Sequence, residues 1–514
     1  MSQSKKDFLL TKIIATLGPA SADPATIEKL ILEGVRVFRI NFSHGSFDDY
    51  EQLLKWVRTA SEKLNVSIGV LGDLSGPKIR VGQVVKGGVK LRVGHTVEFQ
   101  KEPVLTAAPA DESACIVFST SYPGFIEEVQ VGENILLDDG YVRLKCREKR
   151  ENRLICQVEQ GGTIFSNKGV NLPDTELSVP ALTEKDRLCV EFAVKHHFDF
   201  LALSFVRHGE DVRQLKDMLR RLGARPTEGM PVSESDVSFS AVEVESESII
   251  PVISKIEKPQ AVENLKDVLR ESDGIMVARG DLGVEMDLAT VAVTQKRIIH
   301  LCREYGMPCI VATQMLQSMI DSPTPTRAEV SDVANAIFDG ADAVMLSGET
   351  AVGRYPIESA RMMNRIAGRT NDYLKTQPFL SPPLERVADS YRRAAAIAAS
   401  VRTIVEDLEI KYIIVWSQLG GAAVYLSQQR MPRPILFFTP SPAILQRASL
   451  LYALTPIYME RQTSNTGFFQ TVDRLILDNE WAHKGDAVVF VLAEPITRIG
   501  VANEIVIHYL GDSI

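Results

Sequence analysis

The 514-residue chain is short of several things that would narrow its role in other directions. Its apolar runs are no longer than a β-strand, so no membrane span is expected. The opening Met1-Ser-Gln-Ser-Lys-Lys-Asp-Phe-Leu-Leu10 has too short an apolar stretch for a signal peptide, and a cytoplasmic address is the expectation. Basic residues do not dominate: 57 Lys and Arg face 66 Asp and Glu, a net charge of −9 that argues against nucleic acid as a partner. Cysteine is scarce, and Cys115, Cys146, Cys156, Cys189, Cys302 and Cys309 form no Cys-x-x-Cys pair. They read as reduced structural thiols rather than as a metal or redox centre. None of the 8 histidines has an obvious catalytic placement, though His44 lies near a polar cluster described below.

What is present is a pair of apolar runs that end in charge: Pro251-Val-Ile-Ser-Lys-Ile-Glu257 and Gly274-Ile-Met-Val-Ala-Arg-Gly-Asp281. Side chains alternate along a strand, so Lys255 and Glu257 share a face, and Asp281 at the end of the next run can lie beside them. Two carboxylates and an ammonium at neighbouring strand ends suit a hard cation with phosphate or enolate chemistry. The plainer alternative is a structural ion pair capping a barrel, with Asp281 opening a loop. Gly280 and Gly283 flank Asp281 and allow close approach of a ligand to the backbone.

Eight short apolar runs punctuate residues 11–348: Thr11–Gly18, Val35–Phe42, Ser67–Leu74, Phe200–Val206, Pro251–Glu257, Gly274–Gly280, Pro308–Gln314 and Ala343–Gly348. Most precede a stretch of helical period such as Thr26–Leu32 or Arg327–Phe338. Eight strand–helix repeats predict a (β/α)8 TIM barrel, with its active site at the C-terminal strand ends. The gap after the third run is too long for one helix. Its β-rich pieces (Val89–Val97, Cys115–Phe118, Asn134–Leu137, Tyr141–Cys146, Leu154–Val158) predict an inserted, β-barrel-like lid that excludes water on closing. A Pro-containing connector, Thr376–Glu385, leads to a second alternation of helices and strands (Lys411–Trp416, Pro434–Thr439, Thr455–Met459, Asp486–Leu492, Glu504–Leu510). The expected division is barrel 1–77, lid 78–177, barrel 178–370 and a C-terminal α/β domain 371–514. The Ser- and Glu-rich stretch Pro226–Ser248 reads as a surface insertion rather than a site.

Other strand ends add to the constellation. Arg39, Asn41 and Ser43 alternate on one face and run into Phe42-Ser-His-Gly45, a phosphate cradle in the making. Asp73, Lys78 and Arg80 stand where the lid begins. Ala312-Thr-Gln-Met315 and Leu346-Ser-Gly-Glu-Thr350 end in hydroxyls that bind a carboxylate, relay protons, or cap helices. Convergent polar groups from five strand ends suit metal-assisted phosphoryl transfer, which needs positive charge more than a strong base.

The chain resembles the pyruvate kinase family over essentially its full length. The resemblance is carried by Thr11-Lys-Ile-Ile-Ala-Thr-Leu-Gly-Pro-Ala-Ser21, Arg39-Ile-Asn-Phe-Ser-His-Gly45, Lys168-Gly-Val-Asn-Leu-Pro173, Val252-Ile-Ser-Lys-Ile-Glu257, Met276-Val-Ala-Arg-Gly-Asp-Leu-Gly283, Ala312-Thr-Gln-Met-Leu316 and Met345-Leu-Ser-Gly-Glu-Thr350. It implies phosphoryl transfer from phosphoenolpyruvate to ADP, giving pyruvate and ATP in glycolysis, in a homotetramer. By the same resemblance Glu257 and Asp281 bind Mg2+ (or Mn2+), Lys255 stabilises the transferring phosphoryl group and the enolate, and Arg39 holds the phosphate. The Gly280 backbone and Thr313 meet the substrate carboxylate. Asn41, Phe42, Ser43, His44, Arg80 and Arg207 face the nucleotide phosphates, while Ser347 and Glu349 lie on the path that protonates the enolate.

Three departures stand out. K+-dependent members carry Thr-Lys-Gly-Pro-Glu after the residue matching Asp73; this chain has Leu74-Ser-Gly-Pro-Lys78. Lys78, with Leu74 and Val81, is similar to members that work without K+, so K+ independence is expected. Asn41, Ser43 and Asp73 then form a vestigial cation site, with Lys78 as the replacement charge. The C-terminal phosphate loop reads Trp416-Ser-Gln-Leu-Gly-Gly-Ala-Ala423 and lacks the basic residue and most hydroxyls, and Ala493–Gly500 lacks further contacts. Fructose 1,6-bisphosphate is not expected to activate, although Arg498 and the Gly420-Gly421 backbone leave room for another anion. His208 replaces a common lysine, which predicts weaker or pH-dependent nucleotide binding. Two rivals are a barrel aldolase acting on pyruvate-like enolates, which leaves the inserted domain, Lys255 and the Arg39 cradle unexplained, and a non-catalytic relative, which the intact Lys255–Glu257–Asp281–Thr313 set argues against.

Overall fold

The computed structural model describes residues 8–108, 115–223, 249–377, 392–499 and 502–512. The 226–248 stretch and residues 378–385 of the expected connector lie outside these. Eight strands close into a barrel: Lys12–Thr16, Val35–Asn41, Gly69–Asp73, Phe200–Leu203, Val252–Ile256, Gly274–Ala278, Cys309–Ala312 and Ala343–Leu346. Every neighbouring pair is parallel. Strands of this kind are buried on both faces, which is why they read as continuous Val, Ile and Leu runs rather than as alternating ones. Ile14, Val37, Leu71, Ile253, Met276, Ile310 and Met345 fill the interior. The opposite faces pack under the surrounding helices. Three of those helices, Phe47–Leu64, Glu184–Lys195 and Arg327–Asp339, begin with capping boxes built on Ser46–Asp49, Thr183–Asp186 and Thr326–Glu329.

The inserted segment has its own apolar core around Phe99, Phe118, Phe125, Leu144 and Leu154. Its described residues form one six-stranded sheet and one two-stranded sheet, the all-β insertion expected from the sequence. The β-rich segment Val89–Val97 holds the strand Val89–Leu91 and the start of the strand Thr96–Gln100. A turn with Gly94 at φ 87° separates them and sends each to a different sheet.

The C-terminal unit is a five-stranded sheet of Ile410–Trp416, Ile435–Thr439, Leu454–Tyr458, Ala487–Leu492 and Glu504–Tyr509, the last antiparallel at the edge. Apolar clusters cover both of its faces. It docks on the N-terminal end of the barrel through buried polar contacts. Arg430 pairs with Asp342 at 3.2 Å and stacks 3.7 Å from the Tyr452 ring. The buried Lys12 ammonium donates to the Leu454 carbonyl at 2.6 Å and to that of Leu9 at 2.7 Å. Among the described residues, no helix is long and apolar enough to cross a membrane.

Candidate active site

The C-terminal ends of strands two, three and five bring four charged side chains into one interlocked row. The register aligns Asn41 and Ala202 with Asp73, so Asp73 stands between the second and fourth strands at the end of the third. Its carboxylate is buried and accepts from Arg39 Nε at 2.7 Å and Nη2 at 2.5 Å. Lys255 Nζ lies 3.3 Å from the other oxygen of Asp73, 2.8 Å from Glu257 Oε1 and 2.8 Å from Ser204 Oγ. Glu257, equally buried, accepts from the Phe205 N–H at 2.8 Å. A two-residue spacing in the sequence has thus become a Lys255–Glu257 contact, as strand alternation requires.

Burial pulls each of these groups toward neutrality, and the partners decide the outcome. For Lys255, burial lowers the pKa, but Asp73 and Glu257 more than offset it and hold the ammonium above its ordinary value. For Asp73, burial raises the pKa, while Lys255 and Arg39 bring it below the usual carboxylate value. Glu257 stays above its usual value, because burial and the nearby Asp281 charge together outweigh Lys255. Three carboxylates therefore meet two fixed cations.

Asp281 does not end a strand as the sequence suggested. Strand six stops at Ala278, and Arg279–Glu285 form a short helix with Asp281 in its first turn. Opposite it, Thr313 and Gln314 follow strand seven at φ 68° and 54°. Left-handed backbone at two successive non-glycine residues, one of them β-branched, stores roughly 1–3 kcal/mol each. The Gly280 N–H donates to Thr313 Oγ1 at 2.6 Å, so the two groups expected to meet a carboxylate bind each other here.

Ser347 Oγ is buried with no hydrogen-bond partner. Fully buried Glu349 accepts from the Ser347 and Leu316 N–H groups at 2.7 and 2.9 Å, tying together the loops after strands seven and eight. Thr350 is not a helix cap: it lies inside the helix Gly348–Ala351 and donates to the Thr16 carbonyl at 2.9 Å.

Other expected site residues are placed differently. The Phe42 side chain is fully buried against Tyr50, Phe192 and Phe198, leaving only its backbone near the cradle. Asn41 turns inward on the chain and accepts from the Ser43 N–H at 3.0 Å; Ser43 Oγ meets Ser75 Oγ at 3.0 Å, and His44 is exposed. Arg80 donates to the Asn167 carbonyl at 2.9 Å. The Arg207 guanidinium is taken up by the Leu177 carbonyl, the Val179 carbonyl at 2.9 Å and Asp211 at 3.3 Å. It fastens the segment returning from the inserted domain instead of presenting a free fork to phosphate. Lys78 is not brought to Asn41, Ser43 and Asp73 either. The chain turns at Gly76 (φ 63°) toward the inserted domain, where Arg80 bridges to Gly169, and the Lys78 side chain lies beside Gly169.

An open cleft lies between barrel and inserted domain, with Lys78, Asp139, Arg207, Lys258, Asp281 and Glu285 on its walls. Ser204 and Arg279 escaped the sequence reading. The signal for Ser204 was a hydroxyl inside the fourth apolar run, just past where its strand ends at Leu203; for Arg279 it was a lone guanidinium one residue before Gly280-Asp281.

Whether these residues fit a divalent ion is answered by the donor set. Among the described residues there is no cluster of three or more His, Cys, Asp or Glu side chains able to hold a metal unaided. Glu257, already paired with Lys255, and the neighbouring Asp281 supply two carboxylates in a cluster with one more anion than cations, and Mg2+ typically takes one or two carboxylates and leaves the rest of its shell to water and substrate. The residues fit such an ion.

A (β/α)8 barrel that gathers two fixed cations and three carboxylates at its C-terminal strand ends has the charge layout of a phosphotransferase. Residues 9–226 and 233–360 match the profile of the pyruvate kinase barrel domain, and residues 395–508 that of the pyruvate kinase alpha/beta domain. Pyruvate kinase of Corynebacterium efficiens is 39% identical over 502 residues, covering 98% of both chains. That of Mycobacterium tuberculosis is 37% identical over 501 residues, again covering 98% of each. A crystal structure of a pyruvate kinase from Cryptosporidium parvum superposes with a TM-score of 0.85 at 31% identity, over 98% of this chain and 96% of that one. The chain belongs to the pyruvate kinase family.

Proposed function

We propose that this protein transfers the phosphoryl group of phosphoenolpyruvate to ADP, with Mg2+ or Mn2+ on Glu257 and Asp281. The observation that carries the reading is the continuous Arg39–Asp73–Lys255–Glu257 row beside Asp281. A divalent ion bound there supplies Lewis-acid charge to the substrate's phosphate and carboxylate oxygens. Arg39, oriented by Asp73, holds the phosphate, and Lys255 meets the charge that develops on the phosphoryl group and enolate. The Gly280 N–H and the Thr313 hydroxyl receive the carboxylate. Ser347, held by Glu349, carries an unsatisfied hydroxyl suited to delivering a proton to the enolate carbon. On the nucleotide side stand the Asn41–His44 loop and Arg80.

The activity is K+-independent in this reading. Its support is the likeness of Leu74-Ser-Gly-Pro-Lys78 to family members that work without K+, and Asp73, the carboxylate of the would-be cation site, already faces Arg39 and Lys255. Fructose 1,6-bisphosphate does not activate, because the loop at Gly420 (φ 81°) offers backbone and the Ser417 hydroxyl, itself accepting from the Gly420 N–H, but no cation. A cytoplasmic homotetramer completes the proposal by family likeness. Pyruvate release from phosphoenolpyruvate and ADP in a coupled assay with Mg2+ tests it. The expected result is ADP-dependent turnover that is equal in K+ and tetramethylammonium and unmoved by millimolar sugar bisphosphate. Absence of turnover sinks the assignment, and a large K+ stimulation sinks the cation claim alone.

A further inference from the structure

Arg279 is the first residue after strand six, and strand six aligns Ala278 with Ala312, the residue before Thr313. Its guanidinium therefore reaches across to the strained turn. Nη2 donates to the Thr313 carbonyl at 3.0 Å and the Gln314 carbonyl at 3.3 Å, and lies 2.8 Å from Met315 Sδ. Nη1 pairs with Asp332 at 2.7 Å and touches Gln295 at 3.5 Å. The side chain is 10% exposed, against 40% for Asp332. Left-handed conformations at Thr313 and Gln314 persist only where the surroundings over-determine them. Here the restraints are the Arg279 fork on the carbonyls, the Gly280 N–H on the Thr313 hydroxyl, and the Glu349 carboxylate on the Leu316 N–H. Lysine cannot reproduce a planar fork that serves several acceptors and a carboxylate at once.

We propose that Arg279, anchored by Asp332, is a positioning residue that holds the Thr313–Gln314 turn so that the Thr313 hydroxyl and the Gly280 N–H form one pocket for the substrate carboxylate. The inference rests on the reading of those two groups as the carboxylate site. It concerns binding of phosphoenolpyruvate and leaves the nucleotide side untouched, since Arg279 lies on the strand-six and strand-seven side of the site, away from Asn41–His44 and Arg80.

The test is steady-state kinetics of Arg279→Lys and Arg279→Met, with phosphoenolpyruvate and ADP varied separately, alongside thermal melting. Losing the fork frees the Thr313 and Gln314 carbonyls to bond water and loosens the turn, and we expect KM for phosphoenolpyruvate to rise about tenfold or more. KM for ADP should stay within about threefold, with the melting temperature of the lysine variant near wild type. Asp332→Asn should show the same selectivity at smaller size, and combining it with Arg279→Lys should add little, because the two act through one contact. An unchanged KM for phosphoenolpyruvate in Arg279→Lys overturns the proposal. So does a parallel rise of both KM values with a fall in melting temperature, which marks a merely structural arginine. If the methionine variant does not fold, the lysine variant and the double-mutant cycle still decide. A wild-type protein without pyruvate-forming activity instead overturns the functional assignment on which the inference stands.

Discussion

Replacing Asp73 by Asn tests the idea that a buried anion organises the catalytic cations. Asp73 is 1% exposed and makes two contacts to the Arg39 guanidinium, at 2.7 and 2.5 Å, and one to Lys255 at 3.3 Å. Hydrogen bonds to charged groups contribute about 1.5–3 kcal/mol each, and breaking a buried pair by removing one partner costs about 3–5 kcal/mol. Asn keeps the shape and one acceptor oxygen, so the lower end, about 3 kcal/mol, is the working figure. The deficit divides between folding and function. If about 2 kcal/mol reaches the transition state through misplaced Arg39 and Lys255, kcat/KM for phosphoenolpyruvate falls about 30-fold. Lys255 also loses Asp73, the foremost of the three carboxylates that hold its pKa up, and with Glu257 and Asp281 remaining its pKa in the folded protein moves down. The assay is pyruvate formation at saturating ADP and Mg2+, in K+ and in tetramethylammonium, with direct Mn2+ binding as a control. A kcat/KM within threefold of wild type in both salts refutes the reasoning. Rescue by K+ alone returns Asp73 to the role of a cation ligand.

Phe42→Ala should destabilise the barrel by about 3–5 kcal/mol through the cavity left among Tyr50, Phe192 and Phe198, with KM for ADP little changed; denaturant unfolding and kinetics together check it. Arg207→Gln should expose the 177–179 segment to proteolysis while changing KM for ADP less than about threefold; a tenfold rise would instead put its guanidinium on the nucleotide. Burial, and secondarily Arg36, holds the Lys12 pKa well below its ordinary value. The unfolded chain then binds the proton that the folded chain gives up, so stability rises with pH from the folded value up to about 10.4. Melting curves from neutral to alkaline pH should show that rise in the wild type and lose it in Lys12→Met.

The barrel was legible because each strand is buried on both faces and announces itself as an apolar run; all eight runs became strands, with ends moved by a few residues. The C-terminal sheet was legible for the same reason, its five runs shifted by one residue or so. The inserted domain was read less well, since a turn residue inside a β-rich run sends its two halves to different sheets. At the site, proximity in sequence sufficed for Lys255 with Glu257. It did not reveal Asp73 as the partner of Arg39, because that contact depends on the register between two strands separated by a long helix. The side-chain partners of Phe42, Arg207 and Lys78 were not legible for a related reason. Motif membership says which residues travel together, whereas the packing of neighbouring elements decides which way each side chain turns.

The bond between the Gly280 N–H and the Thr313 hydroxyl sets an entry threshold for the pocket. A ligand must offer those two groups something better than each other. A carboxylate does, since charge-assisted hydrogen bonds are roughly twice as strong as neutral ones. If these groups form the proposed carboxylate site, an ester, an amide or a water molecule offers only an even exchange, while an anion also repays the bond that the Thr313 hydroxyl gives to the Ala312 carbonyl at 2.6 Å.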